Sequence, residues 1–236
     1  MYKRILTSAL AVFLISATCV SKDNVTLAGN VILPRPAGIE ILDGAYIFTG
    51  EPTVKVVRKK GPAESYTLEI SRKGVKILAA DDAGEFYARQ SLEQMIRAAK
   101  ESNGQVSLQC QIIEDCPRFP YRGLHIDVSR HFYSIDFLKK QVDAMAMFKM
   151  NRLHLHLTDA AGWRMEIESW PRLTEYAAWR PEANWKAWWN GDRAYVEEGA
   201  PGAYGGYYTK EELKSLVEYA AERHITVIPE IEMPGH

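Results

Sequence analysis

Short apolar runs are separated by Pro and Gly turns over residues 31–58, and apolar and polar residues alternate with a period of two over residues 66–70 and 75–79. Both patterns are typical of short strands. They predict strands over residues 31–33, 39–42, 46–48, 54–57, 66–70 and 75–79, the last two joined by a hairpin turn at Ser71-Arg72-Lys73-Gly74.

The period then changes to that of a helix. Asp82, with Glu85 three residues later, resembles a capping box and opens a helix that runs to about Ala99. A further strand is predicted over residues 106–113, and two prolines follow it. We therefore predict a small α+β domain over residues 25–117.

Strands and helices alternate in the second half of the chain. Strands are predicted over residues 123–129, 153–159 and 226–232, and helices begin after the capping residues Ser134 and Thr209. The second of these helices has one apolar face, made of Leu213, Leu216, Val217 and Ala220. Such an alternation of strand, helix and strand predicts parallel βα units.

The first eighteen residues have the pattern of an export signal. Lys3 and Arg4 precede a thirteen-residue apolar run, which is too short for a stable membrane span and typical of a signal-peptide core. Small residues then precede Cys19, which resembles the cleavage site of bacterial lipoproteins, where the cysteine becomes the acylated N-terminus. We expect a signal peptide over residues 1–18 and a periplasmic or outer-membrane lipoprotein, attached to the membrane through Cys19. Plain secretion and an uncleaved leader are the alternatives.

Composition narrows the classes of function. The chain of 236 residues is 47% apolar and 25% charged, which is ordinary for a globular protein and excludes a wholly disordered one. Its net charge of −1 provides no excess of cations for phosphates, so we expect no nucleic-acid partner. Cys110 and Cys116 fit either a disulfide in an oxidising compartment or two separate thiols.

Charged and titratable residues stand at the end of each strand in the second half. They are Asp127, Arg130 and His131 after the first strand, Asp159 after the second, and Glu230, Glu232 and His236 after the third. Because ligands bind at the carboxyl ends of parallel strands, this convergence predicts a functional site there. A set of ion pairs that only holds the loops is the alternative.

The strand over residues 153–159 adds a pair of histidines. Strict alternation places Asp159 on the same face as the leucines of this strand and puts His154 and His156 together on the other face. A His-x-His pair is able to chelate a metal ion, which would indicate a metal-dependent hydrolase. We favour the alternative, in which both histidines are packed and hydrogen-bonded beneath the helix layer.

All six tryptophans lie between residues 163 and 189, within a long irregular stretch over residues 160–208. Loops of this length are usually functional or disordered, and tryptophan argues against disorder. Aromatic rings stack on the C–H faces of sugars, so tryptophans beside a charged rim suit a carbohydrate. We favour an anchoring role within the loop for Trp163, Trp170 and Trp179, whereas either role fits Trp185, Trp188 and Trp189.

Five segments resemble the family 20 glycoside hydrolases, the β-N-acetylhexosaminidases. They are the stretches from Pro117 to Phe132 and from Lys149 to Asp159, then Gly162-Trp163-Arg164, Tyr207-Tyr208-Thr209 and the stretch from Val227 to His236. The resemblance implies an α/β fold in which residues 118–236 form the first three strands of a (β/α)8 TIM barrel, preceded by the family's α+β accessory domain. A whole barrel typically needs about 250 residues, so this barrel would be incomplete.

The resemblance also implies an activity. Family members remove terminal β-linked N-acetylhexosamine from glycans by an exo-acting, substrate-assisted and retaining hydrolysis. The 2-acetamido oxygen attacks the anomeric carbon, an Asp polarises the amide, and the neighbouring Glu protonates the leaving group. Arg130 would bind the hydroxyls of the terminal sugar, helped by Glu232, and Asp159 and His236 would belong to the charged network around the acid. Neither a metal ion nor a cofactor is implied.

The sequence departs from the family in two places. The family's Asp and Glu lie on a fourth strand, and no Asp-Glu pair follows Gly-Gly in this sequence; Ala160 also stands where the family often has a second Asp. We therefore expect the 236-residue chain to be inactive by itself and to be a piece of a full-length enzyme. The alternatives are a non-catalytic carbohydrate-binding or truncated product and, on His154 and His156 alone, a metal-dependent hydrolase.

Overall fold

The computed structural model describes residues 31–99, 101–102 and 104–235, which form two larger sheets with helices packed against them and a third sheet of two short strands. The predicted leader, Cys19 and His236 lie outside the described residues, so what the sequence predicts for them stays a prediction. Among the described residues, no helix is both long enough and apolar enough to cross a membrane.

The first sheet has six strands, and one helix packs against it. Its strands are β1 (Gly38–Phe48), β2 (Val54–Arg58), β3 (Tyr66–Ser71), β4 (Gly74–Ala79), β5 (Glu101–Ser102) and β6 (Gln105–Asp115). Their order is β1-β6-β3-β4-β2, with β5 paired to β6, and the described pairs are antiparallel except for β2 with β4. Helix α1 (Asp82–Ala98) belongs to the same core, in which Tyr87, Leu92 and Met95 are buried with Leu68 and Ile77.

The edge of this sheet differs from the prediction. Residues 31–33 form no strand, and Ile32 is buried in the core instead. The two strands predicted over residues 39–42 and 46–48 are one strand, β1, whose register against β6 shifts between Ile41 and Ala45. Gly44, within this shift, has φ +97°, a left-handed conformation that glycine adopts without steric cost.

The cap of α1 also lies one residue earlier than predicted. Asp81, not Asp82, has the extended backbone of an N-cap, and its carboxylate accepts hydrogen bonds from the backbone N–H of Gly84 and of Glu64, both at 2.8 Å. Two adjacent aspartates cannot be distinguished as caps from sequence, because the choice depends on where the preceding strand ends.

The second sheet contains three parallel strands with two helices packed on one face. Strands β7 (Gly123–Asp127), β8 (Arg152–Asp159) and β12 (Thr226–Ile231) lie in the order β7-β8-β12. Helices α2 (Ile135–Met147) and α5 (Lys210–Ala221) connect them, which confirms the predicted βα pattern. Three leucines of β8 are buried against this helix layer: Leu153, Leu155 and Leu157.

Both predicted helix caps are confirmed, and one predicted core residue is not. Ser134 accepts a hydrogen bond at the start of α2, and Thr209 forms a capping box with Glu212 at the start of α5. Val217, predicted to face inward, is 49% exposed. It lies on the flank of α5 opposite Tyr219, whose hydroxyl reaches α2, so it is outside the interface with the sheet.

The stretch over residues 160–208 is ordered into short elements. They are β9 (Gly162–Trp163), α3 (Arg172–Glu175), β10 (Trp179–Arg180), α4 (Trp185–Asn190) and β11 (Tyr204–Gly205). Strand β9 pairs with the end of β8, and β10 pairs with β11. The stretch therefore folds back over the carboxyl ends of the parallel strands, where the sequence predicts a site.

Two cations join the two sheets. The Lys149 ammonium lies 3.0 Å from Asp115 Oδ2 and donates a hydrogen bond to the hydroxyl of Tyr66 at 2.9 Å. The Arg122 guanidinium lies 2.7 Å from a Glu64 carboxylate oxygen. Burial lowers the pKa of Lys149, and the charge of Asp115 opposes this effect. Lys149 precedes β8 and Arg122 precedes β7, so the first sheet holds the amino-terminal ends of these strands.

The two cysteines of the first sheet region are separate thiols. Cys110 is buried, Cys116 is partly exposed, and neither forms a disulfide in the structure. Of the two alternatives that the sequence leaves open, the structure therefore shows the unbonded one.

Candidate active site

Three strands place titratable side chains in one row on the face of the second sheet that lies away from its helices. Asp127 on β7, His156 on β8 and Glu230 on β12 are neighbours in the register of the parallel ladder. His154 lies two residues before His156, opposite His125 of β7. Because the leucines of β8 occupy the helix side, these histidines point away from the helix layer. The expectation that they lie beneath that layer is wrong.

Asp159 joins this row because β8 is irregular near its end. Glu230 pairs with His156 but the next residue of β12 pairs with Thr158, so β8 contains one extra residue there. The extra residue reverses the alternation. Asp159 Oδ2 therefore lies 3.0 Å from Nε2 of His156, and its side chain is 1% exposed. The prediction that Asp159 shares the face of the leucines is wrong for this reason.

Glu230 lies at ion-pair distance from two histidines. Its Oε2 atom lies 2.8 Å from Nε2 of His154 and 2.9 Å from Nδ1 of His156. Burial by itself lowers the pKa of His156, but the hydrogen bonds to Glu230 and Asp159 outweigh burial, so the pKa is raised. The hydrogen bond from His156 lowers the pKa of Glu230. Both pKa shifts favour the charged forms of His156 and Glu230.

Arg130 lies between two carboxylates at the rim. Its Nη2 atom is 2.5 Å from Asp159 Oδ2, and its Nη1 atom is 3.0 Å from Asp127 Oδ2. Asp127 also accepts hydrogen bonds, both at 3.0 Å, from the backbone N–H of Ser129 and of Arg130 itself. The backbone and the guanidinium of Arg130 are thus both fixed by Asp127.

A cavity of about 270 Å³ opens beside Arg130. Its lining residues combine one cation, one carboxylate, two small residues and two indoles: Arg130, Asp159, Ala160, Ala161, Trp185 and Trp189. The indoles come from α4, which begins at the N-cap Asn184. A charged group and flat aromatic surfaces in one cavity match the hydroxyls and the C–H faces of a sugar ring.

Three of the other four tryptophans anchor the loop, and one does not. The indole N–H groups of Trp163, Trp179 and Trp188 donate to backbone carbonyls of the 160–208 stretch, so these residues anchor it. Trp170 is 68% exposed, so the anchoring role predicted for it is wrong. Only Trp185 and Trp189, of the six, line the cavity.

Two buried arginines hold the loops around this cavity. All five N–H donors of Arg164 are directed at backbone carbonyls, those of Val128, Ser129, Ala161, Ala178 and Gly206. Arg180 donates to the carbonyl of Ala161 and to that of Arg130, both at 2.8 Å. Burial lowers the pKa of Arg164 to about 10, so its guanidinium is still charged at neutral pH.

Comparisons with known proteins match both halves of the chain. Residues 119–236 match the catalytic domain of glycosyl hydrolase family 20, and residues 33–116 match domain 2 of the same family. The chain belongs to glycoside hydrolase family 20.

Curated relatives carry the same assignment. A β-hexosaminidase of Porphyromonas gingivalis is 41% identical over 197 residues, which cover 82% of this chain and 23% of that protein. The N,N'-diacetylchitobiase of Vibrio harveyi is 40% identical over 193 residues, which cover 80% of this chain and 20% of that protein. The chain thus spans about a quarter or less of the length of these relatives.

Solved family 20 structures have the same fold. The exo-β-N-acetylglucosaminidase of Vibrio harveyi, solved with N-acetylglucosamine, matches with a TM-score of 0.74 at 30% identity, over 88% of this chain and 37% of that chain. A mutant β-hexosaminidase of Streptomyces plicatus, solved with its product GlcNAc, matches with a TM-score of 0.69 at 33% identity, over 87% of this chain and 47% of that chain.

The structure brings together three of the four site residues that the sequence predicts. Arg130 and Asp159 are in contact, and Glu232 Oε2 lies 3.7 Å from Nε2 of His156. His236 lies outside the described residues. His131 points elsewhere, to the hydroxyl of Tyr204 at 2.6 Å. Their roles in this family 20 protein stay predictions.

Several residues of this family 20 site are not identified by the sequence. No pattern assigns a role to His125, and Asp127 and Glu230 are predicted only as rim charges. The burial of Arg164 and Arg180 is not predicted either. One signal for Arg164 was present, because Gly162 lies two residues before it. A Cβ atom at Gly162 would collide with the Arg164 guanidinium, so glycine is required there.

Two groups of side chains among the described residues could offer three ligand atoms to a metal ion. One is His125, His156 and Glu230, and the other is His156, Asp159 and Glu232. In each group one imidazole nitrogen faces a carboxylate oxygen at about 3 Å: His156 faces Glu230 in the first group and Asp159 in the second.

The Arg164 network gives a testable prediction for stability. We expect Arg164→Lys to lower the free energy of unfolding by at least about 3 kcal/mol, because an ammonium cannot reach five carbonyls and each buried carbonyl left unpaired costs about 1–3 kcal/mol. Urea denaturation measures this loss. The matched control is Arg172→Lys, at an exposed bidentate pair with Glu197, where we expect no measurable change because solvent screens the pair. Equal losses at the two positions would contradict the prediction.

Proposed function

We propose that the protein containing this sequence is an exo-acting β-N-acetylhexosaminidase, which removes terminal β-linked N-acetylhexosamine from glycans. The observation that carries the proposal is Arg130, held between Asp127 and Asp159 at a cavity walled by Trp185 and Trp189. The names of the family 20 relatives support the same activity. The partner is then a glycan substrate, and no nucleic acid is involved.

We further propose that the second sheet is the beginning of a (β/α)8 barrel. Support comes from its three parallel strands, from the two connecting helices on one face, and from the match to solved family 20 chains of which it covers less than half. The first sheet then corresponds to the family's accessory domain. In this arrangement, the row of Asp127, His156 and Glu230 faces the interior of the barrel.

The reaction we propose is substrate-assisted retaining hydrolysis. Arg130 donates N–H groups to hydroxyls of the terminal sugar, and its planar fork suits two adjacent oxygens. The indoles of Trp185 and Trp189 contact the ring faces and exclude water. The acetamido oxygen of the substrate attacks the anomeric carbon as the glycosidic C–O bond breaks, and a carboxylic acid protonates the leaving oxygen. Water then attacks the anomeric carbon, which opens the cyclic intermediate, and its proton returns to the carboxylate. By resemblance, the polarising Asp and the acid Glu lie on a fourth strand, and the sequence contains no such pair.

Arg130 provides a direct test of this proposal. In the protein translated from the whole gene, we expect Arg130→Lys to lower kcat/KM for p-nitrophenyl N-acetyl-β-glucosaminide by at least ~100-fold. Lysine lacks the planar fork, and charged hydrogen bonds in a dry site are worth roughly 1.5–3 kcal/mol each. Arg97→Lys on the exposed side of α1 serves as the control, with unchanged kinetics expected. Normal kinetics in Arg130→Lys would rule out this role for Arg130.

The same assay separates the alternatives. A non-catalytic carbohydrate-binding protein would bind N-acetylglucosamine without hydrolysing the chromogenic substrate.

The metal-dependent alternative rests on the ligand groups around His156. We expect activity to be unchanged after dialysis against EDTA, because guanidinium and imidazole groups supply the cations of the proposed site. The control is dialysis against EDTA saturated with zinc. A large loss that zinc or manganese restores would support a metal-dependent hydrolase instead.

We also propose that the protein is exported and anchored through a lipidated Cys19. The support is the leader pattern of residues 1–18 alone. We expect Cys19→Ser to move the mature protein from the membrane fraction to the soluble fraction in detergent-free fractionation, whereas Cys116→Ser leaves it in place. Wild-type protein that is already soluble would contradict lipid attachment and leave simple secretion.

A further inference from the structure

His156 occupies the centre of the charged row and is almost fully buried. Its side chain is 5% exposed, and both ring nitrogens face carboxylates. Nδ1 lies 2.9 Å from Glu230 Oε2, and Nε2 lies 3.0 Å from Asp159 Oδ2. An imidazole is able to donate hydrogen bonds from both nitrogens only when it carries two protons. The geometry therefore fits an imidazolium that bridges two carboxylates.

A neutral tautomer is the competing state. Nη1 of Arg130 lies 2.8 Å from Nε2 of His156, so an unprotonated Nε2 could accept a hydrogen bond from it. In that state, however, the lone pair of Nε2 would also face the negatively charged Asp159 at 3.0 Å. In the imidazolium state this N–H of Arg130 must turn away from the protonated Nε2, and Nη1 then keeps its other hydrogen bond, to a carboxylate oxygen of Asp127 at 3.0 Å.

The surrounding charges favour the imidazolium. The ionisable groups around the ring are His125 and Asp127 from β7, Arg130 from the loop after it, Glu230 and Glu232 from β12 and the segment after it, and His154 and Asp159 from its own strand. Four of these are carboxylates and one is a guanidinium. A second positive charge at the centre therefore reduces the excess of negative charge, and the raised pKa of His156 agrees with this balance.

We infer that His156 is a positioning residue of this site, a doubly protonated imidazole that ties Asp159 to Glu230 and so holds Arg130 in its binding orientation. The inference rests on the proposed function only where it concerns substrate. Asp159 contacts both His156 and Arg130 through the same oxygen, Oδ2. Without the imidazolium, Asp159 keeps Arg130 as a partner but loses its link to Glu230. Arg130 would then keep its ion pair with Asp127, but the carboxylate of Asp159 that it contacts would no longer be fixed relative to Glu230.

Kinetics of matched variants in the whole-gene protein test the effect on substrate. His156→Gln removes the double-donor ring, whereas His154→Gln changes a histidine on the same strand that contacts Glu230 but does not bridge to Asp159. We expect His156→Gln to lower kcat/KM at least ~10-fold, mainly through a higher KM, because Arg130 binds substrate before and during the reaction. For His154→Gln we expect a change of threefold or less. Equal effects of the two variants would overturn the positioning role.

The protonation state of His156 is measurable in the wild-type protein, so the inference survives a variant that fails to fold. In protein labelled with ¹⁵N-histidine, the two ring nitrogens of His156 are identified as the signals lost in His156→Gln or, if that variant is unfolded, in His156→Asn. We expect both nitrogens to be protonated at pH 7, with a titration above the ordinary histidine value of ~6.5. A neutral ring with a single protonated nitrogen at pH 6 to 7 would overturn the inference.

Stability against pH provides a second readout with a defined sign. Because the folded pKa of His156 is raised, its contribution is complete below the ordinary value of 6.5 and is lost as the pH rises through the folded pKa. The lowered pKa of Glu230 adds a contribution that is present above 4.5 and is lost on acidification below that value. The Tm difference between wild type and His156→Gln should therefore be larger at pH 5.5 than at pH 9. An equal or reversed difference would contradict the charged ring.

These measurements separate the inference from the proposed function. If the whole protein has no hexosaminidase activity but His156 carries two protons at pH 7, the proposed function fails and the charged bridge stands. If the enzyme is active and His156 is neutral, the bridge fails and the proposed function stands.

Discussion

The site depends on one buried guanidinium. Arg164 directs all five of its N–H donors at backbone carbonyls, and these come from three separate segments: residues 128–129 after β7, residue 161 after β8, and residues 178 and 206 of the folded-back stretch. A buried carbonyl without a partner costs free energy comparable to a lost hydrogen bond. Arg164 pairs with all five, of which Ala161 also accepts from Arg180 and Ala178 from the backbone N–H of Gly206. A single cation satisfies them together, so the three segments have one arrangement relative to each other.

This arrangement fixes the position of Arg130. Its backbone follows Ser129, whose carbonyl accepts from Arg164, and its own carbonyl accepts from Arg180. Its guanidinium is then fixed by Asp127 and Asp159. Buried arginines that donate to carbonyls thus determine where the backbone of Arg130 lies, and carboxylates determine where its fork points. Because both its backbone and its guanidinium are fixed in advance, Arg130 loses little conformational entropy when it binds two sugar oxygens.

The sequence predicts the order of elements well, because that order depends on local patterns. The capping residues Ser134 and Thr209, the strand end at Asp159 and the parallel βα pattern all follow from periodicity and cap chemistry. The first parallel strand ends at Asp127, two residues before the predicted Ser129. The face on which Asp159 lies does not follow, because one extra residue in β8 reverses the alternation and only the partner strand reveals it. The resemblance to family 20 named Arg130 and Asp159 but not the bridge through His156.

Buried arginine is the other feature that local patterns do not show. Arginine is mostly exposed in proteins, so a polar residue such as Arg164 within an irregular stretch is expected at the surface. Its burial is explained only when the carbonyls of three distant segments are known to converge. Val217 shows the opposite case, an apolar residue predicted to be buried that is exposed. The helical period groups it with the apolar face of α5, whereas the position of α2 leaves it exposed to solvent.

The strands that carry the site are held at both ends by different means. Arg122 and Lys149, which precede β7 and β8, form ion pairs with Glu64 and Asp115 of the first sheet and its loops. At the carboxyl ends, the same two strands are joined through the carbonyls that accept from Arg164. The charged row needs Asp127 beside His156, and the bridge needs His156 about 3 Å from both Asp159 and Glu230. A shift of one residue in either strand would separate these side chains. The first sheet therefore contributes to the site without touching it, since it fixes the register on which the charged row depends.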